Sequence, residues 1–347
     1  MINSENAILE KLAIHKTGNK SRDEGLVLSE RPVRLSQAIS DLMIRYFISP
    51  FREKEYYNLY HETDLRLNEV YHYVSGIFDD PAGFMEHSQN LAKTLYECST
   101  HPKIKSGEFY AALFRRLLID GEEVDAIGLF RSESRETYLR VYPEDNNFTV
   151  EHEDGININK LDKGCLIFNL ERESGYVAAT VDTLSKGNDA MYWMDNFLKV
   201  RQRNDDYFQT SQVLSMCRQF VREKLPEVFE TDLPEQAEML NKSIKFFKEN
   251  DNFSIQEFTG EVFDQPELIQ TFNDYRRDFE EEREIKINDG FSISGQAVRK
   301  QSKVFKSVIK LDRNFHIYVH GNRDFIEKGF DEERSMQYYR LYYKEEQ

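Results

Sequence analysis

The chain has 347 residues, a formal net charge of −16, and a composition that is 39% hydrophobic and 13% aromatic. Such a composition excludes a disordered chain, and the length allows two or three domains, each with a core of its own. The acidic balance disfavours non-specific binding to anionic membranes and, on average, to DNA, so any contact with nucleic acid must be local.

Ala7 to His15 and Gly25 to Leu28 are short apolar runs separated by the polar tract Lys16 to Glu24. They read as two strands, or a strand and a short helix, joined by a turn. Pro32 then opens a helix with the face Leu35, Ala38, Ile39, Leu42, Met43 and Tyr46, and Pro50 stops it. Helical patterns follow at Val70 to Phe78 and Phe84 to Tyr96. From Phe109 the period is that of a sheet. Three turn signals, Asp120-Gly121, Asp145-Asn146-Asn147 and Glu173-Ser174-Gly175, each lie between two β-like runs. Consecutive hairpins without crossover helices predict an antiparallel meander.

The middle is helical: Asp189 to Val200, Asp206 to Lys224, Pro234 to Glu249, and Pro266 to about Arg283. Strands return at Phe291 to Ile293, Val304 to Leu311, Phe315 to Val319 and Tyr338 to Tyr343. The predicted fold is α+β: an N-terminal antiparallel β-meander with helices, a central helical region, and C-terminal antiparallel strands. Its expected domains are 1–183 and 184–347. Cys98, Cys165 and Cys217 are far apart and flanked by apolar residues, the pattern of buried free thiols in a reducing compartment. No window approaches the apolar length of a membrane span and the N-terminus lacks a basic, then apolar, signal, so a cytoplasmic location and no membrane partner are expected.

The charge pattern reverses in the last third. Residues 226–289 hold 18 Asp and Glu against 7 Lys and Arg, a balance of −11. Residues 295–323 hold Arg299, Lys300, Lys303, Lys306, Lys310, Arg313 and Arg323 against Asp312 alone, a balance of +6. Phosphate contacts need clustered cations, so this stretch is where a polyanion such as nucleic acid could dock. With Val304 to Leu311 as a strand, Phe305, Ile309 and Leu311 point one way while Lys306, Val308 and Lys310 point the other. Equally, such lysines protect a sheet edge or neutralise the acidic helices before them. A second cluster, Lys199, Arg201 and Arg203, follows the Trp193 helix, where compensation of the helix dipole also accounts for it.

Signatures of chemistry are sparse. No phosphate-cradling glycine loop, dinucleotide fingerprint, Cys-x-x-Cys pair or His-Glu-x-x-His occurs. His316 and His320 on a strand would stand about 13 Å apart, too far to share a metal. Asp278 with Glu284-Ile285-Lys286 superficially resembles half of a metal-dependent nuclease site. No cofactor and no metal is expected.

Read end to end, the chain resembles the bacterial nucleoid-associated protein family of the YejK type. The resemblance is carried by Ile8-Leu9 to Ile14-His15 with Leu26-Val27-Leu28, and by Gly155-Ile156-Asn157-Ile158 leading into the Cys165 and Tyr176 strands. It continues in Lys186-Gly187-Asn188-Asp189-Ala190-Met191-Tyr192-Trp193-Met194-Asp195-Asn196-Phe197-Leu198 and in the tail from Val304 to Gly321. Asn188 stands where the family often has a basic residue, and Lys199 where it has a glycine after Phe-Leu. The resemblance implies a cytoplasmic, DNA-binding protein of the bacterial nucleoid with no catalytic constellation.

The resulting expectation is a non-enzymatic nucleoid-associated protein that grips the phosphate backbone of duplex DNA, with weak sequence preference. Arg299, Lys300, Lys303, Lys306, Lys310 and Arg313 would supply the grip, helped by Arg201 and Arg203. The alternative is an interaction module whose acidic helices in 226–289 bind a basic or DNA-processing partner, with indirect nucleoid association. The aromatic C-terminal strand and apolar central helices are compatible with a homodimer.

Overall fold

Apolar alternation at the N-terminus produces β1 (Ile2–Asn3), β2 (Ile8–Thr17) and β3 (Leu26–Val27). A computed structural model describes residues 2–52, 55–184, 192–263, 265–302, 305, 308–311, 315–318 and 325–345, the backbone alone at 308–310. Helix α1 (Gln37–Ile48) starts later than Pro32, which the sequence suggests as its opening. Its cap is Ser36, whose hydroxyl accepts from Ile39 N–H, and Val33 N–H is held by the Leu12 carbonyl at 2.8 Å, keeping residues before the cap beside β2. Then come β4 (Tyr56–Leu59), α2 (Glu69–Asp79) and α3 (Phe84–Cys98), the last two close to the predicted spans.

The predicted hairpins form β5 (Gly107–Ile119), β6 (Glu122–Ser132), β7 (Glu136–Glu144), β8 (Asn147–Gly155), β9 (Lys163–Phe168) and β10 (Val177–Asp182). Asp120 and Gly121 take φ of 49° and 96°, the left-handed pair that a two-residue turn requires. A π-helical segment, Tyr192–Leu198, leads to β11 (Val200–Gln202). All pairings in the main sheet are antiparallel, in the order β11-β4-β10-β9-β6-β5-β2-β3, with β1 on β5. The expected meander needs one correction: among the described residues β7 and β8 pair only with each other, outside this sheet.

Both faces of the sheet are buried. Phe109, Ala111, Leu113, Ile127, Leu129, Cys165 and Ile167 pack with α2, α3 and Trp193 on one face. Tyr110, Ala112, Phe114, Phe130, Leu166 and Phe168 pack with Ile44, Phe47 and Ile48 of α1 on the other. Phe47 stacks on Phe130 with ring centroids 4.1 Å apart. Burial on both sides is why β5, β6 and β9 read as nearly continuous apolar runs. Each such aromatic contributes about 1.5–3 kcal/mol by leaving water.

His15, buried on β2, is fixed as the neutral imidazole. Its Nδ1 accepts from Ser29 N–H at 3.1 Å, which leaves Nε2–H to donate to Ser88 Oγ at 3.1 Å, and that hydroxyl donates onward to the Met85 carbonyl. Burial lowers its pKa from 6.5 to about 4. The unfolded chain therefore binds the extra proton first as pH falls, and the fold loses stability between about pH 6.5 and pH 4. Thermal melts across pH should show this loss, and His15→Asn should flatten that part of the profile.

The chain divides into two compact units, 1–203 and 204–347. The second unit is built from α4 (Asp206–Gln219), α5 (Leu225–Val228), α6 (Leu233–Glu249), β12 (Asn252–Ser254), α7 (Ile255–Val262) and α8 (Pro266–Glu282). Between α4 and α5 the chain widens to a π-helix over Phe220–Lys224, where Pro226 cannot donate the next helical hydrogen bond. Asp232 and Glu235 form a capping box on α6. β13 (Gly290–Ser292) pairs with β12, and α9 (Gly295–Ser302) follows. Phe220, Phe246, Phe247, Phe253, Phe258, Phe263 and Phe272 interlock in this unit's core. The tail forms two hairpins, β14 (Val308–Leu311) with β15 (Phe315–Tyr318), and β16 (Ile326–Asp331) with β17 (Met336–Leu341). The fold is α+β. Among the described residues, no helix is long and apolar enough to cross a membrane.

Candidate nucleic-acid interface

Arg299 and Lys300 stand side by side in the last turn of α9. Ala297 and Val298, one turn face earlier, are buried, so helical periodicity leaves the two cations exposed. Lys300 Nζ lies 5.9 Å from the centre of the Tyr207 ring. Their position at a helix C-terminus also suits the helix dipole, worth about 0.3–1 kcal/mol for each exposed cation.

Beyond α9 the structure departs from the sequence expectation. The described strand is Val308–Leu311, and Phe305, which the sequence assigns to the same strand, instead follows the helix: its N–H bonds the Gln301 carbonyl and its ring is buried in the second unit's core, while Val304 lies outside the described residues. Lys310 is on β14, opposite His316. Lys303, Lys306 and Arg313 lie outside the described residues, as does the Lys186 to Met191 part of the family-like segment.

In the first unit, Arg201 sits on β11, the outermost strand, opposite Asn58. It is exposed, and its guanidinium lies 3.8 Å from the centre of the Tyr60 ring. Lys199, just before it, has φ of 51°, in the left-handed region that favours glycine. The Lys199 carbonyl accepts from Tyr60 N–H at 2.7 Å and from Asn68 Nδ2 at 3.1 Å, and the same buried amide donates to the Tyr60 and Leu198 carbonyls. Asn68 caps α2 as well, so one side chain ties the edge strand to a helix start. Tyr60, His61, Glu62, Asp195, Lys199 and Arg201 border a cleft of about 450 Å³. Burial pushes the Asp195 carboxyl up.

Arg203 is placed differently. Its guanidinium donates twice to Glu171, at 2.8 and 3.0 Å, and holds that carboxyl below its ordinary pKa. The neighbouring Arg172 does the same to Asp79, at 2.6 and 2.8 Å. These two pairs brace the turn whose Gly175, at φ of 93°, approaches β4 so closely that a Cβ would meet the Leu59 carbonyl oxygen at 2.0 Å. The structure thus brings Arg299 to Lys300 and Lys199 to Arg201, each pair within its own unit.

Sequence reasoning missed two features: the Tyr60 platform under Arg201, and a buried charged group behind the sheet. Arg131 Nε lies 3.0 Å from Glu133 Oε1, with both side chains almost wholly buried. Tyr192 donates its hydroxyl to Glu133, and burial pushes that phenol well above its ordinary pKa. Lys163 and Asp182 form a second buried pair at 2.6 Å. The only available signal was a charged residue within or beside apolar strands, at Arg131 and Lys163. Cys165 and Cys217 are buried free thiols, as expected, while Cys98 is half-buried. Among the described residues no group of three or more His, Cys, Asp or Glu side chains could hold a metal, and Asp278, Glu284 and Lys286 are all exposed.

A family described as nucleoid-associated protein YejK matches residues 13–337 of the chain. The chain belongs to this family. The resemblance noted in the sequence is therefore a membership that spans both units, and it includes the edge strand with Arg201 and the helix with Arg299 and Lys300. No curated protein matches the chain.

Proposed function

We propose that the chain is a non-enzymatic nucleoid-associated protein that binds duplex DNA directly, through phosphate contacts from a few local cations. The observation that carries this reading is the pair Arg299 and Lys300, exposed together on α9 at the head of the +6 stretch of an otherwise acidic chain. Lys303, Lys306, Lys310 and Arg313 extend that stretch in sequence. Arg201 is the contributor from the first unit, pre-oriented on Tyr60, while Arg203 acts mainly as a strut to Glu171. Phosphate contacts carry no sequence information, so base preference should be weak. Membership of the nucleoid-associated family supports the location.

A gel shift with the purified chain and a short duplex tests direct binding. Micromolar or tighter binding without any other protein is expected at low salt. Absence of binding under those conditions would make nucleoid association indirect and favour recruitment of a basic partner by the acidic helices.

A further inference from the structure

β7 and β8 form a two-stranded ribbon of nine paired positions, closed by Asp145 and Asn146 at φ of 46° and 62°. Residues opposite each other in an antiparallel pair share a face, so Leu139, Val141 and Pro143 lie with Phe148 and Val150 on one side. Leu139 is 73% exposed, Phe148 75%, and Val141 and Val150 59% each. The other side is knit internally: Tyr142 donates to Glu151 at 2.7 Å, and Arg140 lies over the Tyr142 ring. A free two-stranded ribbon is marginal in water, and a continuous apolar face at its end favours a cover.

The charge of the ribbon as a whole selects the cover: Asp154, opposite Thr137, shares the apolar face, and the other strand carboxylates project from the reverse side of the same two strands. Residues 136–155 carry Glu136, Glu144, Asp145, Glu151, Glu153 and Asp154 against Arg140 alone, a balance of −5. A second copy would set −5 against −5, and DNA would be repelled more strongly still. We propose that the ribbon is a docking arm for a cationic, apolar-bearing segment of another protein, whose aliphatic side chains cover Leu139, Val141, Phe148 and Val150 while its Lys and Arg meet Asp145, Asp154 and the carboxylates that reach round the ribbon's edges. This ribbon shares no residue with the cations assigned to DNA, and its occupancy does not depend on that reading. It gives an acidic nucleoid-associated protein a place to hold a basic protein while its own cations hold phosphate.

The test uses the full chain and a labelled synthetic peptide of alternating Lys and Leu, with a Glu and Leu peptide as control. Fluorescence anisotropy should show binding of the cationic peptide only, and L139S/V141T/F148S should weaken it at least tenfold. The substituted side chains are exposed, so the Trp193 fluorescence melt should be unchanged. Hydrogen exchange of the unaltered chain with and without the cationic peptide should show protection concentrated in 136–155. Equal binding by the triple variant, or protection centred on 226–289, would overturn the proposal. So would sedimentation showing a dimer that the triple variant dissolves, since the occupant would then be a second copy.

Discussion

Arg131→Ala is expected to destabilise the first unit by about 3–5 kcal/mol, the usual cost of removing one partner from a buried ion pair. Arg131 has no exposed side-chain surface and Glu133 only 5%. The guanidinium also donates to the Lys105 carbonyl at 2.8 Å and to Ser99 Oγ at 3.3 Å, so truncation leaves a buried carboxylate, a carbonyl and a hydroxyl short of partners at once. The R131M/E133Q double substitution removes both charges together and should recover much of the loss. The chain has a single tryptophan, Trp193, fully buried against the same sheet, so its fluorescence in urea reports this unit alone. An Arg131→Ala variant that unfolds at the wild-type urea concentration would show that the pair contributes nothing net.

Reversing Arg201, Arg299 and Lys300 to Glu should weaken duplex binding by about 100-fold at low salt, through three lost phosphate contacts and three new repulsions. None of the three side chains is buried, so a far-ultraviolet circular dichroism melt, which reports both units, should hardly move. Arg203→Ala should behave in the opposite way: it frees Glu171 and loosens the turn at Gly175, yet changes DNA affinity little. Competition binding with a fluorescent duplex separates these outcomes. Equal loss of affinity in the Arg203→Ala and triple-Glu variants would mean that the edge of the sheet, and not its exposed cations, governs the contact.

How much of this was legible in the sequence depends on range. Asp120-Gly121 fixes its hairpin locally, and so does Asp145-Asn146, through turn chemistry alone. Nothing local says which sheet a hairpin joins, and among the described residues β7–β8 joins none. β4 and β11 were missed because strands of four and three residues carry too little alternation, and their pairing spans more than 130 residues of chain. The start of α1 was misplaced because Pro32 and Ser36 are both legitimate openings, and only the tertiary bond from Val33 to Leu12 decides between them. In the candidate interface, the exposed position of Arg299 and Lys300 follows from helical period. The stacking of Arg201 on Tyr60 does not, because it needs β4 and β11 to be neighbours. Lys199 was the one hint: a lysine where the family has glycine marks a backbone position that proves to be left-handed.

The central claim is that local cations on an acidic chain hold DNA by its phosphates, and the salt dependence of affinity tests it most directly. With about four to six phosphate contacts, a plot of log affinity against log salt concentration for the purified chain and a short duplex should fall with a slope of about −4 to −5. A slope near zero, with binding retained at high salt, would contradict the account.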